Sequence, residues 1–420
     1  MSRAVWGGLV AAGLGLFLVS WSVLHHGTFA RDQITDTGLY QDYGDAIAHG
    51  QVPYRDFRLE YPPGALPVFV LPSLGHEGNQ DAYDRWFDRL MALCGCFAIV
   101  GAGLVLRALG AGPVRTVAAL GLIAISPLLL GSVVLSRFDL WPVSLAVLAL
   151  AALLHERLIL AALALGAAIA AKLWPLVLLP LFVVHLWRTR GPRVAAAWTG
   201  GVVLVDAVIF LPFAVLSPAG LRASFHAQIA RPLQLESLGG AVLIALHHVA
   251  GTSLSVVTTY GSQNLAGTGT HAAQIATTFA GVLALLIVWT LYARDEADGE
   301  RLVAYAAAAI AATLAFGKVF SPQFVIWLVP FVPLVRGRRG LAASALLIAT
   351  LVLTQLWFPH HYWALADDFA QRESWLLLTR DLCVVALAVL LAWPSRLEHE
   401  SLGEGRAMLE ALQRVRAQVE

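Results

Sequence analysis

Long apolar runs dominate the chain, with few short alternating segments. Runs of spanning length occupy 5–24, 86–106, 116–134, 138–154, 194–215, 271–293, 341–358 and 375–393, because about twenty apolar residues in a helix cross the hydrocarbon layer. The first run, Val5 to Leu24, exceeds the roughly 7–15 residues of a signal-peptide core and is expected to remain as a span. Two further stretches, Leu158–Trp187 and Leu302–Val335, are each interrupted by a lysine and a proline: Lys172-Leu-Trp-Pro175 and Lys318-Val-Phe-Ser-Pro322. Proline removes a helical hydrogen bond and biases the preceding residue away from helix. Each stretch is therefore expected to be a short helical hairpin or a re-entrant segment. The pattern predicts an all-α integral membrane protein of about twelve spans, one membrane domain over 1–394 with no visible internal repeat.

Charge orients these spans. Short loops carry Arg107 with Arg115, Arg188 with Arg190 and Arg193, and Arg336 with Arg338 and Arg339, and such an excess marks the cytoplasmic side. The three sets face one way only if each lysine-interrupted stretch goes out and returns, which puts Lys172 and Lys318 at outer turns. The expected arrangement is a multi-pass protein of the bacterial plasma membrane with both termini cytoplasmic. Its outer loops would be 25–84 and 216–270, with shorter turns at 136–139 and 359–374. The tail 395–420 is expected as a cytoplasmic amphipathic helix with Met408, Leu409, Leu412, Val415 and Val419 on one side.

Composition agrees: 58% hydrophobic and 13% charged residues exclude an ordinary soluble domain. A formal charge of +1 gives no basis for nucleic-acid binding. Cys94, Cys96 and Cys383 lie in apolar stretches without paired spacing and read as packing. Of 28 basic residues only Lys172 and Lys318 are lysines, a usage expected of a GC-rich, actinobacterial genome that sets those two apart.

Candidate chemistry gathers in the first outer loop, where residues 31–61 are dense in carboxylates and aromatics. Leu39, Tyr43, Ala46 and Ile47 recur at helical spacing up to Gly50, predicting a short amphipathic helix in the interface. Asp36 stands just before it. That aspartate is either the helix N-cap or a general base at the membrane surface, accepting a proton from an acceptor hydroxyl. Asp32, Asp42, Asp56 and Glu60 are rivals for the second role. The following Tyr61–Pro72 is apolar but too short and proline-rich to span, and is expected in the interface.

Seven motifs occur in order: Asp36-x-x-x-Tyr40, Gly50-x-x-Pro-Tyr-Arg-Asp-Phe57, Glu60-Tyr-Pro-Pro-Gly64, Ser136-Arg-Phe-Asp139, Lys172-Leu-Trp-Pro175, Arg231-Pro-Leu-Gln-Leu-Glu-Ser237 and Lys318-Val-Phe-Ser-Pro-Gln323. With them the chain resembles the GT-C superfamily of membrane glycosyltransferases, specifically glycosyltransferase family 87, also described as DUF2029. The resemblance implies a GT-C-type bundle with interfacial helices in the first outer loop. It implies transfer of a sugar from a polyprenyl-phosphate donor to a hydroxyl of a glycolipid or cell-envelope polysaccharide, on the outer face and with inversion. It assigns Asp36 the role of base and requires no protein nucleophile.

The departing lipid phosphate needs fixed positive charge, for which Arg231 and Lys318 are favoured and Lys172 is a third candidate. Snorkelling to the interface is the alternative for both lysines. Tyr40, Arg55, Asp56, Glu60, Gln234, Glu236 and Gln323 are candidate substrate contacts. Arg137 with Asp139 is either another or a structural ion pair, and His360 and His361 either meet substrate or belong to an interfacial anchor. The stretch Pro322-Gln-Phe-Val-Ile-Trp327 departs from the mannosyltransferase branch, leaving mannose and arabinofuranose both open. No ligand spacing demands a metal, so no cofactor is required, although Mg²⁺ or Mn²⁺ on acidic loops stays open. A secondary transporter or lipid flippase is the rival class, since Lys172 and Lys318 interrupt apolar stretches. The acidic loop and the lack of a repeat count against it.

Overall fold

A computed structural model describes residues 1–393, and the tail helix expected over 395–420 lies outside them. The apolar runs become helices, as the bilayer demands, because each backbone polar group inside it must be satisfied within its own segment. α1 (Arg3–Val23) leads to the short α2 (Thr37–Ala48) and α3 (Leu66–Ser73), then α4 (Gln80–Ala108), α5 (Pro113–Leu130), α6 (Leu140–Leu154) and α7 (Leu158–Ala171). α8 (Leu179–Arg190) and α9 (Pro192–Leu216) follow, then α10 (Pro218–Ala230), α11 (Leu238–Ala250) and the hairpin β1 (Leu254–Thr259) and β2 (Ser262–Gly267). The rest comprises α12 (Thr270–Arg294), α13 (Gly299–Ala315), α14 (Gly337–Trp357), α15 (Tyr362–Asp368) and α16 (Gln371–Ala392). Among the described residues seven helices, α1, α4, α5, α9, α12, α14 and α16, are long and apolar enough to cross a membrane. The protein is an all-α, multi-pass membrane protein.

Both lysine-interrupted stretches break where expected. Lys172 leaves helical backbone at φ −159° and ψ 138°, and a tight turn over Trp174–Leu178 leads into α8. After α13 the second stretch resumes only as tight turns over Pro322–Leu328 and Val332–Leu334. Irregular backbone of this kind is tolerated inside a membrane protein when protein surrounds it, and residues 325–335 are all buried.

The turns collect at two ends. At one, Arg115 pairs with Glu300, Arg190 with Glu156, and Arg339 donates to the Trp393 carbonyl. At the other, the 25–84 loop meets the α5–α6 turn, Lys172, the 217–269 segment and the breaks after α13 and α14. The sequence predicts 216–270 only as an outer loop, whereas it holds two helices and a hairpin closed by Tyr260-Gly261, both at positive φ (53° and 64°). Such a two-residue turn matches the twist of the paired strands.

The face of α2 also differs from expectation. Tyr40, Tyr43 and Gly44 are buried while Leu39 is 40% exposed. Tyr40 stacks on Phe69 at 4.6 Å and meets Phe138 edge-on at 5.7 Å, so the large rings take the interior side in place of the aliphatic residues. Gly64 then seats the first loop against the end of α7. A Cβ there would come within 2.6 Å of the Ala170 carbonyl oxygen and the Ala171 nitrogen, and the Gly64 carbonyl accepts from Trp141 Nε1 at 3.0 Å. Replacing Gly64 by Val is expected to cost on the order of 1–3 kcal/mol through overpacking, read as a lowered thermal midpoint in detergent. Gly15→Val, where nothing lies within 4 Å, should change it little.

Candidate active site

Asp36 occupies the N-cap position of α2, yet its carboxylate makes no capping hydrogen bond. It pairs instead with Arg137, from the turn between α5 and α6, and accepts from the Tyr40 hydroxyl at 3.4 Å. Arg137 is 6% exposed and its second amino group donates to the Ile34 carbonyl at 3.3 Å, so the guanidinium clamps the backbone just before α2 as well. Burial raises the Tyr40 phenol well above its ordinary value, which keeps it a donor. A third of the Asp36 side chain stays exposed.

The Arg137–Asp139 ion pair considered from the sequence does not form. Asp139 is 1% exposed and binds Lys172 Nζ at 2.6 Å and Trp327 Nε1 at 2.6 Å. The two side chains flank Phe138 in a turn and take partners from different segments. The Lys172 ammonium lies 4.8 Å from the ring centres of Phe138 and Phe324, an aromatic setting that suits a cation. Of the three proposed phosphate-binding cations, Lys172 is thus the one already neutralised inside the fold.

The other half of the site is the 231–237 segment, held along both edges. On one, Leu235 N–H donates to the Gln263 carbonyl and Leu265 N–H to the Leu233 carbonyl, tying it to β2. On the other, Gln234 N–H donates to the Lys318 carbonyl, its Oε1 accepts from Phe320 N–H at 2.8 Å, and its Nε2 donates to Ser321 Oγ at 2.9 Å. Gln234 therefore ties the two motifs together with its own amide. Arg231 donates to the Tyr260 carbonyl at 3.2 Å and Lys318 to the Ile229 carbonyl at 2.6 Å. Among the described residues neither cation has a carboxylate within ion-pair distance. Burial, then the charge of Arg231, pushes Lys318 below the usual lysine range.

Glu236 is 2% exposed. Its Oε1 accepts from Tyr362 at 3.2 Å, its Oε2 has no hydrogen-bond partner among the described residues, and its backbone carbonyl accepts from Arg380 Nη2 at 2.6 Å. Burial pushes the carboxyl up to about 7, against the opposing pull of Arg380 and Tyr362. Burial, then the Glu236 carboxylate, raises the Tyr362 phenol, and the charge of Arg137 opposes the rise.

The remaining candidates lie further out. His360 Nδ1 sits 3.4 Å from Asp32 Oδ2, joining the 359–374 segment to the 25–84 loop, while His361 is exposed and Gln323 half-buried. Arg55 and Asp56 form an exposed local ion pair at 2.9 Å, which holds the Asp56 carboxyl down at about 2. They line a groove of about 810 Å³ with Arg58, Arg222, His226 and Tyr260. Glu60 lies beside the β1–β2 turn at Gly261.

Sequence reasoning missed Tyr362 as the partner of Glu236, and it missed the Arg380–Asp381 pair at 2.8 Å in α16. Two ionisable residues inside the 375–393 apolar run were the available signal for the pair. Among the described residues no group of three or more His, Cys, Asp or Glu side chains converges to hold a metal ion.

Compared with known families, residues 59–322 match glycosyltransferase family 87. The chain belongs to this family. It is therefore a glycosyltransferase, and the GT-C and DUF2029 labels fit it. The family 87 match takes in the Glu60–Gly64, Ser136–Asp139, Lys172–Pro175 and Arg231–Ser237 motifs, whereas Asp36, Tyr40, Arg55 and Asp56 precede it. A comparison with curated proteins finds no match.

The raised Glu236 carboxyl has a signed consequence. Its folded value of about 7 exceeds the unfolded one of about 4.3, so between these limits the folded state holds a proton that the unfolded state has lost. Stability is thus expected to fall as pH rises through that window and to level off above about 7. Glu236→Gln should flatten this part of the profile, checked by thermal unfolding in detergent across pH.

Proposed function

We propose that this family 87 enzyme moves a sugar, mannose or arabinofuranose, from a polyprenyl-phosphate donor to a hydroxyl of a glycolipid or cell-envelope polysaccharide. The reading puts the reaction on the extracytoplasmic face of a bacterial plasma membrane, with both termini cytoplasmic. The observation that carries it is the Asp36 carboxylate: it stands at a helix start without capping it, held by Arg137 and Tyr40 and still partly open. In a single displacement the acceptor oxygen attacks the anomeric carbon, the bond from that carbon to the phosphate oxygen breaks, and configuration inverts. Asp36 takes the acceptor proton, and the phosphate leaves with the bonding pair.

Arg231 and Lys318 suit the leaving phosphate because, among the described residues, neither is spent on a carboxylate, and both sit on segments tied together by Gln234. Glu236, with one unpartnered oxygen, suits a donor or acceptor hydroxyl. The reaction written here needs no metal, and transfer measured with and without chelator tests whether Mg²⁺ or Mn²⁺ takes part.

The test is transfer of radiolabelled sugar from polyprenyl-phosphate donors in membranes. Asp36→Asn is expected to lower transfer about 10²–10⁴-fold, the usual range for a lost general base, while leaving the donor KM nearly unchanged. Lys318→Met and Arg231→Gln should weaken donor use chiefly through KM. Retained transfer by Asp36→Asn would remove the base assignment, and transfer from a nucleotide sugar alone would remove the lipid donor.

A further inference from the structure

The end of the bundle remote from the candidate active site holds a cavity of about 1170 Å³. Its walls come from the ends of α4, α6 and α8 and from the starts of α13 and α14. Part of the lining is apolar, with Leu109, Leu154, Leu186 and Val335. The charged part is unbalanced. Each acidic lining residue already has a basic partner: Glu156 pairs with Arg190, Glu300 with Arg115 at 2.5 Å, and Asp298 with Arg301. Three arginines from one turn, Arg336, Arg338 and Arg339, also line the cavity, and among the described residues none has a carboxylate partner.

Their position sharpens the imbalance. Arg336 is the N-cap of α14, Arg338 and Arg339 lie in its first turn, and that turn has no acidic residue and no side-chain cap. A helix start carries partial positive charge and ordinarily attracts acids, so three cations there add to the dipole instead of opposing it. The Arg339 amino group reaches a carbonyl, that of Trp393, which offsets little of the excess.

We propose that this cavity binds the phosphate group of an anionic membrane phospholipid, with the phosphate at Arg336 and Arg338 and an acyl chain along the leucine wall. An apolar floor under a cationic rim matches an amphiphile, whereas inorganic phosphate would use the rim alone. The site is separate from the sugar-transfer chemistry and does not rest on it.

The test uses the purified full-length chain in neutral detergent, with binding followed by native mass spectrometry and by thermal midpoint. Phosphatidylglycerol should stay bound and raise the midpoint, while phosphatidylcholine and inorganic phosphate at equal concentration should do neither. The double substitution Arg336→Gln with Arg338→Gln should weaken phosphatidylglycerol binding about 30-fold, the effect of two charges near an anionic headgroup. Arg107→Gln, at the same end but stacked over Trp6 outside the cavity, should leave it unchanged. Equal losses in the two variants would reduce the effect to general surface attraction and overturn the site. Equal protection by inorganic phosphate would overturn the lipid as ligand. Phosphatidylglycerol binding that appears only after deletion of 394–420 would assign the cavity to the chain's own tail.

Discussion

A carboxylate buried at the end of a membrane bundle has to be matched by a cation and by hydrogen-bond donors, because desolvation of a lone charge costs several kcal/mol. Asp139 imposes that requirement. At 1% exposure it draws in Lys172 from the break after α7 and Trp327 from the irregular stretch after α13. The two breaks also meet each other there, Trp174 of the first stacking on Trp327 of the second at 5.0 Å. The same turn sends Arg137 the other way, to Asp36 and the Ile34 carbonyl. One four-residue turn thereby fixes the 25–84 loop, the α7 break and the α13 break relative to one another.

The architecture was legible where the physics is local. Proline beside lysine marked both breaks, and long apolar runs marked the spans, because helix length and bilayer thickness are matched residue by residue. Asp36 was legible as a helix-start residue, but its release from capping depends on Arg137, about a hundred positions away, and no local pattern encodes that contact. The pairing of Asp139 with Lys172 was hidden for the same reason, and Arg137 beside it in sequence was a misleading neighbour. On α2, Tyr43 faces inward as expected, but Tyr40 takes the place of Leu39 there, its ring stacked on Phe69 and edge-on to Phe138.

Other features were present in the sequence but averaged away. Arg380 and Asp381 sit inside a run whose mean apolarity conceals them, yet Arg380 is fully buried, lies 3.9 Å over Phe320 and holds the Glu236 carbonyl. The 254–267 hairpin carries β-branched residues in its first strand and a Tyr-Gly turn, within a segment whose length suggested only a loop. Family membership rests on residues 59–322, so the base assignment depends on loop-one geometry rather than on the matched region.

The 231–237 segment is bonded to β2 along one edge and to the 318–321 strip along the other. A strand-like segment with both edges occupied behaves as a fixed wall, since shifting it would break two sets of hydrogen bonds at once. The opposite wall, the 25–84 loop, is held differently, by separate side-chain bonds from Arg137, Trp141, Ser217 and Gln228 to its backbone carbonyls. The two sides of the site thus differ in how they are held, one by backbone bonds along two edges and the other by side chains reaching in from distant segments.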